Sequence, residues 1–555
     1  MDDLLDLNAL IRELEGLGFT DISTSENAIF CKSIIYEYAI ELSGVLPQTF
    51  PFEFPTIYID EKCYNNISPL PHVNSNFDIC IFDKTTAIPD FNAPIQVICA
   101  SFVQARKIIG QGIAKENIED FQEEFRSYWI MDCNLASESI FEFSNKPVII
   151  SAYYSNQTKK VYLAKDKKGL DQYLGNIGIK KRCISDYHNC LYLPLSIDFN
   201  PPFPKTNYSM YKLIHSDKTI SKAYDNFLKS CLPGSAFVAF SIPRSGSRCL
   251  QLFVHPTVSF SENGFRKGRM PIDLMFLRDR KKAAPIKFLV DDMRQERLFT
   301  RGGTGLMSDV TKVAIIGCGA VGGYIAEALS EYGISSFIFV DNDTLSTENI
   351  ARHYCGYEYV GKKKANALKD RLCKYNPNIM ADVYSENGLL FVENHEAELN
   401  TCDLIFVATA NLTLEYKIVS EMCVGRITKP VILVWVEPFL AAGHAILLNK
   451  QQNIFESLFD KEYTFKERVI KNGEAFLKKE FGCQSTYIPY SAFDLKRFIY
   501  ELLHYLLIDS ISKGKKQNYL FTWCGNLAAV QSAGGTISSK WSYASPYSKY
   551  IKRID

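Results

Sequence analysis

The stretch VAIIGCGAVGG, residues 313–323, decides how the C-terminal half of this chain is read. Val313–Ile316 is an apolar run of the kind buried in a parallel sheet. Gly317, Gly319 and Gly322 follow it as G-x-G-x-x-G, and the residues beyond, to about 332, predict a helix. Glycines at those positions permit a tight turn and let the backbone approach a phosphate, which then sits at the helix N-terminus. FIFVD at 337–341 is a second strand and ends on Asp341, placed to hydrogen-bond a ribose hydroxyl. The further apolar runs DLIFVATA (403–410) and VILVWVE (431–437) alternate with helical stretches. Together they predict a doubly wound, mostly parallel, Rossmann-like α/β domain over 296–555.

Taken alone, the glycine loop fits NAD as well as ATP. The residues after Asp341 discriminate between them. VDNDTLSTENIARH and then VGKKKANAL supply Asn349, Arg352 and Lys364. The diphosphate of NAD needs few cations. ATP attacked at its α-phosphate releases pyrophosphate, and fixed Arg and Lys side chains stabilise that departing charge. Lys362 or Lys363 singly reads as solvated surface, but the set points to a nucleotide site. An NAD-dependent oxidoreductase stays open, opposed by Arg352 and Lys364.

The length of 555 residues suggests three or so domains at ~100–200 residues each. Hydrophobic residues make up 47%, enough for packed cores. Lys plus Arg equals Asp plus Glu, 62 each, so nothing in the charge balance proposes nucleic acid or an anionic membrane as partner. The first residues, MDDLLD, are acidic where a signal peptide is basic, and no apolar run approaches the ~20 residues of a membrane span. The 16 cysteines include no Cys-x-x-Cys pair, which argues against a zinc ribbon and a disulfide framework. These features predict a cytoplasmic protein with mostly structural thiols and no metal ligands of its own.

Ahead of the Rossmann-like region, residues 4–17 place Leu4, Leu7, Ile11 and Leu14 at helical spacing, with Gly18 to end the helix. NAIFCKSII, YEYAIELS and PTIYID read as strands, LPQTFPFEFP as an extended link, and 94–110 as a helix. Residues 1–115 are therefore a small α+β domain. Residues 116–295 carry strand-like pieces (PVIISAYY, KVYLA, GSAFVAFSI, CLQLFVH) without a chemical motif, and read as a β-rich connector. PHVNSNFDIC at 71–80 sets His72 and Asn74 ahead of Cys80, as a reactive thiol or a buried small hydrophobe would be set. Cys31, Cys63 and Cys99 read as structural, and Cys524 in YLFTWCGN reads as core. Cys483 lies in the polar stretch FGCQSTYIPYSAFDLKRF, where Lys478 and Lys479 nearby in sequence favour a thiolate.

Residues 296–555 resemble the ThiF/MoeB and ubiquitin-activating adenylation family, on IIGCGAVGG, VDNDTLSTENIAR, VGKKK with Gly361 and Lys364, and VWVEPFLAAGHA. The resemblance implies ATP and Mg2+ as cofactors, Asp341 on the ribose, Asn349, Arg352 and Lys364 on the phosphates, and a homodimer. Cys483 stands where that family carries its thioester cysteine. There are two departures. Ala410 occupies the place of the family's magnesium-positioning aspartate, leaving Asp343 or ATP itself to hold the metal. The Cys-x-x-Cys zinc pairs of the sulfur-carrier members are missing.

Residues 1–115 resemble a ubiquitin-conjugating domain, with FPFEFPTIYI as its Tyr-Pro-Phe-x-x-Pro strand and PHVNSNFDIC as its His-Pro-Asn element and active-site cysteine. This implies a thioester on Cys80, an oxyanion stabilised by Asn74, and a loop braced by His72. Val73 replaces the proline, and Asn74 stands slightly closer to the cysteine than is usual. The whole order resembles the activating–conjugating fusion family of bacterial CBASS antiphage operons. There the C-terminus of a cGAS/DncV-like nucleotidyltransferase is the acyl donor and an amine the acceptor. That acceptor amine remains open, as do a separate ubiquitin-like donor, a sulfur-carrier activator and a non-catalytic nucleotide-binding adaptor.

Overall fold

The computed structural model describes residues 5–554 except 84, 134, 180–185, 245–246, 304–307, 450–453, 480–485, 512–513 and 515–516. The chain divides into two compact units, one of residues 1–170 and 183–292, the other of residues 171–182 and 293–555.

The first unit opens with a helix over Leu7–Gly16. Asp6 caps it by accepting the Ala9 N–H, which starts the helix later than the leucine spacing predicts. Strands β1 (Thr20–Thr24), β2 (Ala28–Ile35), β3 (Tyr38–Val45), β4 (Thr56–Ile59) and β5 (Asp78–Ile79) form an antiparallel sheet in sequential order. The helix Pro94–Ile113 lays Ile98, Phe102, Ala105 and Ile109 on this sheet, into one core with Ile29, Leu42 and Ile57. Those four positions repeat at three and four residues, which is what makes one face of the helix apolar.

The same unit holds a closed barrel of β6 (Leu135–Ser139), β7 (Val148–Ser155), β8 (Lys160–Ala164), β9 (Tyr187–Pro194), β10 (Ala236–Arg244), β11 (Ser247–His255) and β12 (Ile286–Asp292). A parallel β9–β10 pair closes it, so the barrel has no open edge. Alternation along β9 and β10 sorts the side chains. Cys190, Tyr192, Phe237 and Ala239 join one core, while Leu191, Leu193, Val238 and Phe240 join another beneath the helices Phe125–Met131, Asn207–Ser216 and Ser221–Cys231. Trp129 sits in this second core, stacked on Phe125, edge-on to Phe199, Phe203 and Phe240, and donating its indole N–H to the Phe288 carbonyl at 3.0 Å.

The second unit is built on β13 (Lys312–Ile316), β14 (Ser336–Val340), β15 (Met380–Tyr384), β16 (Leu404–Val407), β17 (Val431–Val436) and β18 (Ala442–Leu448). A short ribbon, β19 (Lys478–Lys479) with β20 (Thr486–Tyr487), precedes β21 (Tyr519–Cys524) and β22 (Lys549–Arg553). The eight-stranded sheet runs β15-β14-β13-β16-β17-β18-β21-β22. Its first five strands are parallel and the last three antiparallel. β18 runs antiparallel to β17 because the link between them is short, and a parallel crossover needs a dozen or so residues. The chain order reverses between β13 and β16, which opens a crevice beyond the strand ends.

Among the described residues no helix is long and apolar enough to cross a membrane. Trp129→Ala is expected to destabilise the first unit by about 3–5 kcal/mol. Calorimetric or urea unfolding checks this, with the transition of the second unit as internal control.

Candidate active sites

In the second unit the glycine loop leaves β13 at Gly317, whose φ of +95° is left-handed and whose missing Cβ would lie 2.8 Å from the Ala408 backbone. A Cβ on Gly322 would lie 1.9 Å from the Gly317 carbonyl oxygen. Only glycine allows this loop to close on itself and on the end of β16. Gly319 caps the helix Ala320–Glu331 and has open space where a side chain would stand.

Two adjoining cavities meet there. The first, about 280 Å³, is lined by Gly317, Gly319, Asp341, Asp343 and Lys364 among others. The second, about 440 Å³, is lined by Asn349, Arg352, Ala410, Trp435, Tyr487 and Tyr490 among others. Gly319, Lys364, Ala408 and Thr409 line both. The expected nucleotide residues thus converge on one crevice, with Gly322 beneath the loop.

Asp341 accepts the Cys318 N–H and the Asp343 N–H, each at 2.7 Å. Burial pushes its carboxyl above the usual range, against the pull of those N–H groups and of Lys364. Lys364 begins the helix Lys364–Tyr375 and pairs with Asp343 at 2.8 Å. Asn349 closes a capping box with Ser346. Arg352 donates to the Ile488 carbonyl at 3.1 Å, and its guanidinium lies 5.8 Å and 5.1 Å from the Tyr487 and Tyr490 ring centres.

Ala410 has a φ of +49°, strained for a residue with a side chain, and lines the second cavity. Among the described residues no cluster of three or more His, Cys, Asp or Glu could hold a metal by itself. Asp343, which lines the first cavity, is the carboxylate there that would meet a Mg2+ ion keeping most of its ligands from phosphate and water, since both Asp341 oxygens accept backbone N–H groups.

Behind the second cavity, sequence reasoning missed a buried pair inside VWVEPFLAAGHA. Glu437 accepts the Val469 and Ile470 N–H groups at 2.7 Å each and meets His444 Nε2 at 2.8 Å. The pair flanks a turn in which Phe439 and Leu440 both have left-handed φ. Phe439 N–H donates to the Pro489 carbonyl, which ties this turn to the Tyr487–Tyr490 wall. Cys483 lies outside the described residues. Cys524 is buried, as its apolar context predicts.

In the first unit, residues 72–80 form a small hairpin. Cys80 N–H donates to the His72 carbonyl at 2.8 Å, Val73 bridges Ile79, and Asn74 N–H donates to the Asp78 carbonyl. Cys80 is exposed beside β5, unlike the buried Cys31 and Cys99, whose thiols burial pushes up to about 12 and about 11. The Asn74 amide is engaged by Asp78 Oδ2 at 2.8 Å.

His72, at φ 63°, is gripped from the following helices. Its Nε2 meets Asp120 at 2.9 Å, its Nδ1 meets Glu124 at 3.0 Å, and its backbone N–H donates to the Tyr128 hydroxyl, which in turn donates to Glu124. Glu124 above all, then Asp120, raises its pKa to about 9 against the cost of burial. A histidine held protonated between two carboxylates braces the loop and is no base at neutral pH.

Residues 294–490 match the ThiF family and residues 29–137 match prokaryotic E2 family B. The chain is a fusion of a ubiquitin-conjugating-like domain with a ThiF-type adenylation domain. The fusion is 21% identical over 464 residues to the ATP-dependent ubiquitin transferase-like protein Cap2 of Pseudomonas aeruginosa (strain BWHPSA011 / Pa011), covering 80% of this chain and 81% of that one. It is 27% identical over 117 residues to ubiquitin-like modifier-activating enzyme 5 of Caenorhabditis elegans, covering 20% of this chain and 28% of the relative. Among solved structures, the crystal structure of PaaA matches with a TM-score of 0.29 at 19% identity, over 44% of this chain and 64% of that one. The paired domains support ubiquitin-like activation and conjugation.

Two outcomes test this geometry. Gly322→Ala is expected to weaken ATP binding by about tenfold or more, because the loop must shift to admit the methyl group; calorimetric titration reads it. The His72 clasp carries a pH signature. Its folded pKa of about 9 exceeds the unfolded value near 6.5, so its stabilisation is fully present below about pH 6.5 and is lost as pH rises through 9. The melting-temperature gap between wild type and His72→Gln should therefore narrow between pH 6 and pH 9.5.

Proposed function

We propose that this fusion activates the C-terminal carboxylate of a partner protein with ATP and passes it through two cysteines to an amine. The observation that carries the reading is the shared wall of the two cavities. Gly319, Lys364 and Thr409 line both cavities, so a nucleotide on the glycine loop would turn its α-phosphate toward them, and the neighbouring cavity, lined by Trp435, Tyr487 and Tyr490, would take an extended chain terminus.

In the first step a carboxylate oxygen attacks the α-phosphorus, the α–β phosphoanhydride bond breaks, and pyrophosphate leaves. Asp341 holds the ribose, while Asn349, Arg352 and Lys364 meet phosphate oxygens. Lys364 and Asp343 pair with each other at 2.8 Å; with Lys364 turned to phosphate, Asp343 would be free to help hold a Mg2+ ion, which would neutralise phosphate charge. The Cys483 thiolate next attacks the acyl carbon and AMP leaves. The Cys80 thiolate takes the acyl group from Cys483. Finally an amine attacks at Cys80, the thiolate leaves, and an amide remains. Asn74 supplies the oxyanion contact at that last step once its amide turns from Asp78. Fusing both carriers in one chain raises the effective concentration for the transfer.

The acyl donor that the resemblance supports is the C-terminus of a cGAS/DncV-like nucleotidyltransferase in a CBASS antiphage setting, with this chain a cytoplasmic homodimer through its adenylation domain. Ala410 favours a second reading, a nucleotide-binding adaptor without chemistry. Non-reducing gels and intact mass with ATP, Mg2+ and that nucleotidyltransferase separate them. Wild type should show a thiol-sensitive adduct, Cys80→Ala should hold it at Cys483, and Cys483→Ala should still release pyrophosphate without loading Cys80. Pyrophosphate release excludes the adaptor, and its absence from all of them despite ATP binding points to the adaptor or to a different carrier protein as donor.

A further inference from the structure

One buried titratable group at the nucleotide crevice has no part in that scheme. His353 follows Arg352, is only 5% exposed, and has both ring nitrogens engaged. The Cys355 backbone N–H donates to Nδ1 at 3.0 Å, so the ring proton stands on Nε2, which donates to the Cys318 carbonyl at 2.9 Å. The tautomer follows from the contacts, because an amide N–H can only donate.

Cys318 is the residue between the first two glycines of the loop. Its N–H is held by Asp341 at 2.7 Å and its carbonyl by His353. In a trans peptide the C=O and the following N–H point in opposite directions. A Cys318 carbonyl fixed on His353 therefore turns the Gly319 N–H away from His353. Gly319 lines both cavities and has open space on its side-chain face. We infer that His353 is a positioning residue that sets the Cys318–Gly319 peptide so that the Gly319 N–H faces the nucleotide phosphates. The inference rests on the crevice taking ATP, and deepens that reading.

The strut works only as a neutral ring, since a second proton on Nδ1 would confront the Cys355 N–H. The surroundings keep it neutral. Burial lowers its pKa to about 4, and the charges of Lys364 and Arg352 act in the same direction against the Cys318 carbonyl. The Cys318 and Cys355 thiols are pushed up by burial and carry no charge, and the Asp341 carboxylate is engaged by the Cys318 N–H, in the preceding peptide.

A glutamine can replace both contacts, its NH2 toward Cys318 and its oxygen toward Cys355, whereas leucine replaces neither. The test is calorimetric binding of a non-hydrolysable ATP analogue to the full chain. His353→Gln should bind within about threefold of wild type, and His353→Leu about tenfold or more weaker. The KM for ATP in pyrophosphate exchange should rise in parallel while the KM for the acyl donor stays unchanged. Leucine binding as tightly as wild type, or glutamine binding as weakly as leucine, overturns the inference and leaves the adenylation reading standing. Absence of binding by wild type overturns both. Should His353→Leu fail to fold, imidazole nitrogen NMR of the wild type, assigned by the signal lost in His353→Gln, decides alone. A neutral Nε2–H ring that does not titrate between pH 8 and 5.5 supports the strut, and a ring that titrates near 6.5 overturns it.

Discussion

A Cβ on Gly322 would stand 1.9 Å from the Gly317 carbonyl, and one on Gly317 would stand 2.8 Å from the Ala408 backbone. The crevice at the glycine loop exists because these backbones approach so closely. The approach lets β13 end against β16, starts the following helix at Gly319, and leaves that residue facing open space. Everything placed around the crevice takes its position from this loop. Asp341 reaches the Cys318 N–H only because the loop turns there, and Lys364 shares both cavities because its helix starts opposite the same turn. The cost is a backbone that no other residue type can follow.

Two histidines show how surroundings set chemistry. His72 lies between Asp120 and Glu124, and their negative field holds it protonated to about pH 9. His353 lies beneath Arg352 and Lys364 with backbone groups for partners, and burial keeps it neutral down to about pH 4. Each pins a loop bearing a candidate reactive or binding group. One does so by ion pairing, whose strength follows pH, and the other by hydrogen bonds that need no charge. The loop at Cys80 is therefore tied to titratable partners, while the loop at Gly319 is insulated from titration across the neutral range.

Much of the fold was legible as local pattern. The apolar strands at 313–316, 404–407 and 431–436 stand where their runs predict, since a strand buried on both faces must be continuously apolar, and 28–35 stands where its run predicts with one face turned outward at Phe30 and Ile34. The connector read only as β-rich. Its closure depends on β9 pairing with β10, with two helices between them in sequence, and a two-residue alternation states which face is buried without stating against what. The antiparallel edge of β18, β21 and β22 was likewise invisible, because only the β17–β18 link is short enough to require antiparallel pairing, and the long connections before β21 and β22 permit either direction.

The candidate sites divide in the same way. By itself the sequence determined the glycine loop, Asp341, Asn349, Arg352 and Lys364, and the cysteine of PHVNSNFDIC, because each belongs to a short motif whose geometry is local. Only the tertiary structure decided that Tyr487 and Tyr490 flank Arg352, that Glu437 locks His444 behind the second cavity, and that Asp120, Glu124 and Tyr128 clasp His72. His353 stood in plain view beside Arg352, yet its role rests on a carbonyl 35 positions earlier in the chain. Partners so far apart meet through strand order and helix packing, and a motif records which groups a site needs but not which distant side chains hold them in place.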